Sequence, residues 1–274
     1  MRFKYLSAAS VGAVFALAQL AHAAPLTYDC QARMTRVETV PPVAAGDSDP
    51  WQCPLPTAKQ SSATHWLRNS LEYCRLTVSV YDEALRAARH MAATHRRHQW
   101  IVLMDADETV LDNSLFDREG DICTKRYTDA EWESWVHADM ARDVPGAAAF
   151  TQAVHRMGGL IGIVTNRIVA DDDITQHALT TNGIWFDDEI GLSETKSDKL
   201  ARWRGVVTRL SQKFGGHPRA VMWIGDQITD LAVVDRKGLM VRAMTQQDSG
   251  NGIGAYLFVL PDPMYGNWTA NPSN

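Results

Sequence analysis

Four aspartates set the chemistry open to this chain: Asp105 and Asp107, two residues apart, and Asp226 and Asp230, four apart. Each pair follows a short apolar run, Trp100 to Met104 in the first case and Ala220 to Ile224, then Gly225, in the second. A third run, Leu160 to Val164, stops at Thr165-Asn166-Arg167, and Lys196 opens the helical stretch before the Ala220 run. Residues two apart in an extended chain point to one side, so Asp105 and Asp107 can share a site while holding different roles. Asp105, Asp226, Asp230 and the Asp107 carbonyl form an all-oxygen set suited to a small hard cation such as Mg2+. Beside such a cation a carboxylate can attack phosphorus, which makes Asp105 a nucleophile in phosphoryl transfer. Asp107 is then placed to protonate the leaving alkoxide and afterwards to deprotonate water, which implies a mildly acidic optimum. Lys196 and the Thr165 hydroxyl would steady the phosphoryl oxygens, with Lys199, one turn on, competing for the lysine's part.

The elements that must position these residues are legible from periodicity. Fully apolar runs at Trp100, Leu160, Ala220 and Tyr256 to Leu260 fit buried parallel strands. Helical stretches separate them at 146–157, 172–181 and 197–212. A long amphipathic helix from Trp66 to about Ala93, with Leu71, Cys74, Val78, Tyr81 and Leu85 on one face, precedes the first strand. Alternation of strand and helix predicts an α/β fold with a doubly wound, mostly parallel sheet, whose ligands bind beyond the carboxyl ends of the strands. All the candidate residues fall there.

The stretch from 24 to 63 is rich in Pro, Ser and Ala and reads as irregular, 64–274 as the main domain, and about 112–143 as a small insertion. Residues 1–23 carry Arg2 and Lys4, an apolar run from Tyr5 to Leu20, and Ala21-His22-Ala23. That pattern predicts a secretory signal peptide cleaved after Ala23 and a periplasmic or secreted product, with an N-terminal anchor as the competing reading. Past it no segment is apolar enough for stable insertion in a membrane. Cys30, Cys53, Cys74 and Cys123 all follow the cleavage point and can pair in three ways. A net charge of -5 excludes a general basic field, which argues against a nucleic acid polymer as partner; a small phosphate-monoester substrate fits where a metal or local positive charge receives it. Monomer and homodimer both stay open.

Taken together, Asp105-Ala106-Asp107-Glu108-Thr109, Thr165, Lys196 and Gly225-Asp226-Gln227-Ile228-Thr229-Asp230 resemble the motifs of haloacid dehalogenase (HAD) superfamily phosphatases. Further segments, including Asn69 to Tyr73, Trp132 to Val136, Pro145-Gly146 and Leu260 to Trp268, are similar to the class C bacterial acid phosphatases, a group with 5'-nucleotidases of the lipoprotein e type. The resemblance implies a HAD-like Rossmannoid sheet with a small cap, an N-terminal helical segment, Mg2+ as cofactor, and an aspartyl-phosphate intermediate. It also implies substrate contacts from Asn166 and Arg167 and a base sandwiched by Trp132 and Tyr265, although core packing beside Trp135 explains Trp132 equally well. The chain departs from the group in lacking an acylated cysteine, in Gln227 where Asn is usual, and in having four cysteines. A phosphotransferase on the same fold and a non-catalytic storage or binding relative are the alternatives.

Overall fold

The computed structural model describes residues 25–35, 51–52, 58–187, 190–193, 199–234, 240–242 and 252–271. The proposed signal peptide, Cys53 and Lys196 lie outside the described residues. The chain opens with a short helix α1 (Cys30–Met34), then α2 (Ser62–Asn69) and α3 (Leu71–Thr94). The single helix expected from Trp66 onward is thus two, divided at Ser70. Ser70 adopts an extended conformation and its side chain accepts from Tyr73 N, so it ends one helix and caps the next.

Strand β1 (Trp100–Met104) follows, then a tight loop and the hairpin-like pair β2 (Leu111–Asp112) and β3 (Arg142–Asp143), which run antiparallel. Between them lie α4 (Ser114–Ile122) and α5 (Asp129–Ala138). The chain continues through α6 (Ala147–Met157), β4 (Leu160–Ile168), α7 (Asp172–Thr181), β5 (Gly191–Ser193), α8 (Lys199–Phe214) and β6 (Arg219–Gly225). An antiparallel pair, β7 (Ala232–Val234) with β8 (Met240–Arg242), and β9 (Leu257–Val259) complete the strands.

The main sheet has the order β5-β4-β1-β6-β9, every neighbour parallel. Both faces are covered, and β1 shows how. Trp100, Val102 and Met104 enter the core shared with α3 and α6, where Tyr81, Leu85, Phe150 and Val154 are buried. Ile101 and Leu103 enter the opposite core with Trp203, Val206 and Leu210 of α8. Burial on both faces explains why these strands read as unbroken apolar runs without alternation. The structure is therefore the α/β, mostly parallel HAD-like sheet expected.

Outside the sheet, α1 is fastened by a disulfide between Cys30 and Cys74 of α3. Cys123 is also disulfide-bonded. One turn beyond that staple, Arg33 donates to the carbonyls of Leu67 and Arg68 at 2.9 Å and pairs with Asp112 at 2.6 Å. No helix among the described residues is long and apolar enough to cross a membrane.

Candidate active site

The loop leaving β1 is built for close approach. Asp105 N donates to Ile224 O of β6 at 3.0 Å, and the Ala106 carbonyl accepts from Val110 and Leu111 at 2.8 and 2.9 Å. The chain turns back at Glu108, a non-glycine residue at φ 55. Tyr81 of α3 donates to the Thr109 carbonyl at 2.6 Å, pinning the turn to the core. Beyond β6, Asp230 N bonds to Gln227 O and the Asp230 carboxylate accepts from Gln227 N, so the Asp226 to Asp230 turn holds its own shape. Gly225 makes this possible: a Cβ there would lie 2.3 Å from the Asp230 Cβ.

Asp105, Asp226 and Asp230 each offer a carboxylate oxygen, and the three lie within 4.8 Å of one another. One oxygen of Asp226 accepts from the Thr109 hydroxyl at 3.2 Å, whereas Oδ2 is buried without a hydrogen-bond partner. A buried, unmatched carboxylate oxygen facing two more carboxylates fits a hard cation, and the all-oxygen donor set suits Mg2+ chemistry. Electrostatics point the same way. Burial, followed by the Asp230 and Asp107 charges, raises the Asp105 carboxyl to about 7 against the pull of Lys199. Burial, with Asp230 and Asp105 next, pushes Asp226 well above the usual carboxylate range. Both are the response of like charges crowded out of water with too little positive charge.

The one cation in contact with this group among the described residues is Lys199, at the first residue of α8. Its Nζ lies 2.6 Å from Asp105 Oδ1 and 2.7 Å from Asp230 Oδ1. Burial alone would lower its pKa, but the two aspartates more than offset this and hold it above its ordinary value. The neighbouring candidate Lys196 falls outside the described residues, and the lysine seen at Asp105 is Lys199, the competitor in the next turn.

Asp107 is turned away from the three-carboxylate group. Arg167 Nε and Nη2 donate to its Oδ1 at 3.1 and 2.8 Å, and Asn113 Nδ2 donates to the same oxygen at 2.9 Å. The Thr165 hydroxyl donates to Asp107 Oδ2 at 3.4 Å and accepts from Arg167 N at 3.1 Å. Arg167 is thereby committed to Asp107 and buried, while Asn166 is exposed and accepts from Arg202 of α8 at 2.8 Å. Asn113 is oriented by Trp135, whose indole N–H can only donate and reaches Asn113 Oδ1 at 2.9 Å, leaving the amide nitrogen for Asp107 and Glu108. Glu108, Asn113 and Trp135 were not among the expected site residues; their one signal in the sequence was a place inside or beside the segments that carry the resemblance.

A cavity of about 660 Å3 opens onto these groups, lined by Asp105, Asp107, Asn166 and Asp230 together with Trp132 and Tyr265. Trp132 is half-buried, edge-on to Phe116 at 5.4 Å and beneath the Arg167 guanidinium at 5.9 Å. Tyr265 is 40% exposed. The two aromatic residues singled out for base stacking therefore share one cavity with the carboxylates.

A parallel sheet that gathers Asp105, Lys199, Asp226 and Asp230 at the carboxyl ends of its strands defines a HAD-type phosphomonoester hydrolase. The chain belongs to the HAD superfamily, subfamily IIIB (Acid phosphatase), whose family model matches residues 43–268. Among solved structures it is similar to the class C acid phosphatase from Bacillus anthracis, at 24% identity and a TM-score of 0.63, covering 75% of this chain and 84% of that one. The structure of that class C acid phosphatase from Bacillus anthracis with tungstate bound matches over the same shares at 24% identity and a TM-score of 0.64.

Proposed function

We propose that this acid phosphatase is an exported, Mg2+-dependent enzyme that hydrolyses phosphate monoesters through an aspartyl phosphate on Asp105, with a preference for 5'-nucleotides. The observation that carries the reading is the position of Asp105, which shares Lys199 with Asp230 and lies within one ligand sphere of Asp226 and Asp230. Asp105, Asp226 and Asp230, with the Asp107 carbonyl, would hold the ion. When bound, Mg2+ supplies the positive charge that lets a phosphate dianion approach a carboxylate.

In the first half-reaction an Asp105 oxygen attacks phosphorus and the bond from phosphorus to the ester oxygen breaks, while Asp107 gives its proton to the departing alkoxide. In the second, Asp107 takes a proton from water, the water oxygen attacks phosphorus, and the bond from phosphorus to Asp105 breaks, releasing phosphate. Arg167 and Asn113 hold the Asp107 carboxylate chiefly through Oδ1, while Oδ2 takes only the longer contacts from Arg167 Nε at 3.3 Å and the Thr165 hydroxyl at 3.4 Å and is the more lightly engaged oxygen for proton transfer. Lys199 and the Thr165 hydroxyl offer donors to the phosphoryl oxygens, with Lys196 still a proposed contributor from outside the described residues. Asn166, at the cavity edge, is the exposed polar contact for the rest of the substrate. Tungstate, the oxyanion in the Bacillus anthracis neighbour, has the shape and charge of the phosphoryl group this cavity would take.

Export is supported by the N-terminal pattern and by the Cys30 to Cys74 disulfide, which suits an oxidising compartment. Nucleotide preference is supported by Trp132 and Tyr265 facing one cavity, since an aromatic wall accepts the face of any base. The test is turnover of an aryl phosphate and of a nucleotide panel with and without Mg2+. Asp105→Asn should lose about 10³-fold or more in kcat while preserving the fold, seen as an unchanged circular dichroism spectrum. Full turnover in that variant would remove Asp105 from the mechanism, and equal kcat/KM for nucleotides and sugar phosphates would remove the nucleotide preference.

A further inference from the structure

Glu108 has no place in the phosphoryl chemistry, yet it is 4% exposed and held at a backbone conformation that side chains rarely adopt. A residue kept at positive φ costs of order 1 kcal/mol or more, and such outliers concentrate where geometry matters to function. Glu108 lines the cavity beside Asp107, with which it shares the Asn113 amide. One oxygen, Oε1, accepts from Asn113 N at 3.2 Å and Asn113 Nδ2 at 3.0 Å. The other, Oε2, accepts from the hydroxyl of Tyr265, 157 residues further along the chain.

Tyr265 needs this partner. It is 40% exposed, so core packing does not fix its ring. The next residue, Gly266, sits at φ 134, a conformation that gives the backbone little stiffness of its own. The local bonds that remain, Met264 N to Asp262 and the Trp268 indole to the Tyr265 carbonyl, hold the main chain and leave the ring to its hydroxyl.

We infer that Glu108 is a positioning residue for substrate specificity: it anchors the Tyr265 hydroxyl and so holds the ring across the cavity from Trp132, in the attitude needed to stack on a flat leaving group. The inference rests on the nucleotide-preference reading and deepens it. It predicts discrimination by the shape of the leaving group, with the motif loop that carries the nucleophile also setting the wall that meets the base.

The readout is the ratio of kcat/KM for a nucleoside 5'-monophosphate to kcat/KM for methyl phosphate, measured in wild type, Tyr265→Ala, Tyr265→Phe, Glu108→Gln and the double variant Glu108→Gln with Tyr265→Phe. Using a ratio cancels any general loss of active enzyme. Tyr265→Phe keeps the ring and removes only the hydroxyl; it should lower the ratio about tenfold, chiefly through KM for the nucleotide, the scale of one lost hydrogen bond to a charged group. Glu108→Gln should lower it less, by about threefold, because the amide keeps its oxygen for Asn113 and its NH2 can donate to the Tyr265 hydroxyl, so that a charge-assisted bond becomes a neutral one. In the double variant the ratio should fall no further than in Tyr265→Phe alone. A wild-type ratio in Tyr265→Phe, beside a lowered one in Tyr265→Ala, would overturn the role of Glu108 and spare the nucleotide reading. An unchanged ratio in Tyr265→Ala would overturn both. An undiminished effect of Glu108→Gln in the Tyr265→Phe background would show that Glu108 acts by another route.

Discussion

Asp117 and Asp262 belong to the same acidic surroundings as Glu108, and their charges explain how pH reaches the pocket. Asp117 is pushed up to about 8 by burial, then by Asp262, Asp112 and Asp121. Asp262 is pushed up to about 6 by burial. Asp117 keeps its proton in the folded protein between about pH 4 and pH 8, whereas the unfolded chain has already lost it, so the folded state binds more protons and stability falls as pH rises through that window. Asp117→Asn removes the titration. The variant should gain about 1 to 3 kcal/mol at pH 8 and little at pH 4, so the difference in melting temperature between the two pH values should shrink. Thermal melts of both proteins at several pH values check this, and a variant whose melting temperature follows pH as wild type does would show that Asp117 is already ionised. The same protons bear on catalysis, because a pocket with fewer ionised carboxylates repels a phosphate dianion less as the medium becomes acidic.

At the scale of elements, α8 does two jobs from one turn. Lys199 at its first position meets Asp105 and Asp230, and Arg202 donates to the carbonyls of Thr165 and Gly191 and to the Asn166 side chain. The helix can serve both only if it lies close to the sheet, and Gly162 of β4 is its seat: a Cβ there would stand 2.5 Å from Val206 Cγ1 and 2.9 Å from Leu103 Cδ2. Gly162→Ala should therefore cost about 1 to 3 kcal/mol through overpacking and lower kcat more than it changes KM, as α8 withdraws Lys199 from the nucleophile. Denaturant unfolding and steady-state kinetics on one preparation test both halves; lost stability with unchanged kcat would uncouple the seat from the lysine. Elements such as β1 and α8 were legible in the sequence because buried parallel strands and amphipathic helices leave strong periodic marks. β5, with Gly191-Leu192-Ser193, was not, since three residues of mixed polarity carry no period and its strand character comes from pairing with β4. The break at Ser70 was equally hidden, because the apolar face continues across it. In the site, Asp105, Asp226 and Asp230 could be read from their places after apolar runs. The pairing of Arg167 with Asp107 could not, as it depends on a loop bringing residues 60 apart together.

For the molecule as a whole, the segment 25–35 is a strap laid over the outside of α3. Its staple, Cys30 to Cys74, closes a span of 44 residues, and behind it the buried pair of Arg33 and Asp112 ties the strap to the stretch just after the catalytic loop. Asp112 lies below the usual carboxylate range, since Arg33 and the bonds from Ser114 outweigh its burial. It therefore contributes stability above the ordinary aspartate range and loses it only as pH falls toward its lowered folded value. Replacing both cysteines by serine should cost about 2 to 4 kcal/mol, seen as a lower denaturation midpoint with an unchanged slope. A midpoint equal to wild type would mean that packing of α1 and the Arg33 pair hold the strap unaided.

The short stretch from Asp105 to Asn113 is thus gripped from two distant places: by Arg33 through its neighbour Asp112 across 79 positions, and by Tyr265 across 157. Tyr265 lines the cavity itself, whereas Arg33 braces the loop from behind through Asp112. A polypeptide halted before Tyr265 would lack a residue that lines the cavity. On the nucleotide preference proposed above, selective turnover of a flat substrate would then serve as a signature of a chain that has placed Tyr265, a property that spectroscopy of the sheet would miss.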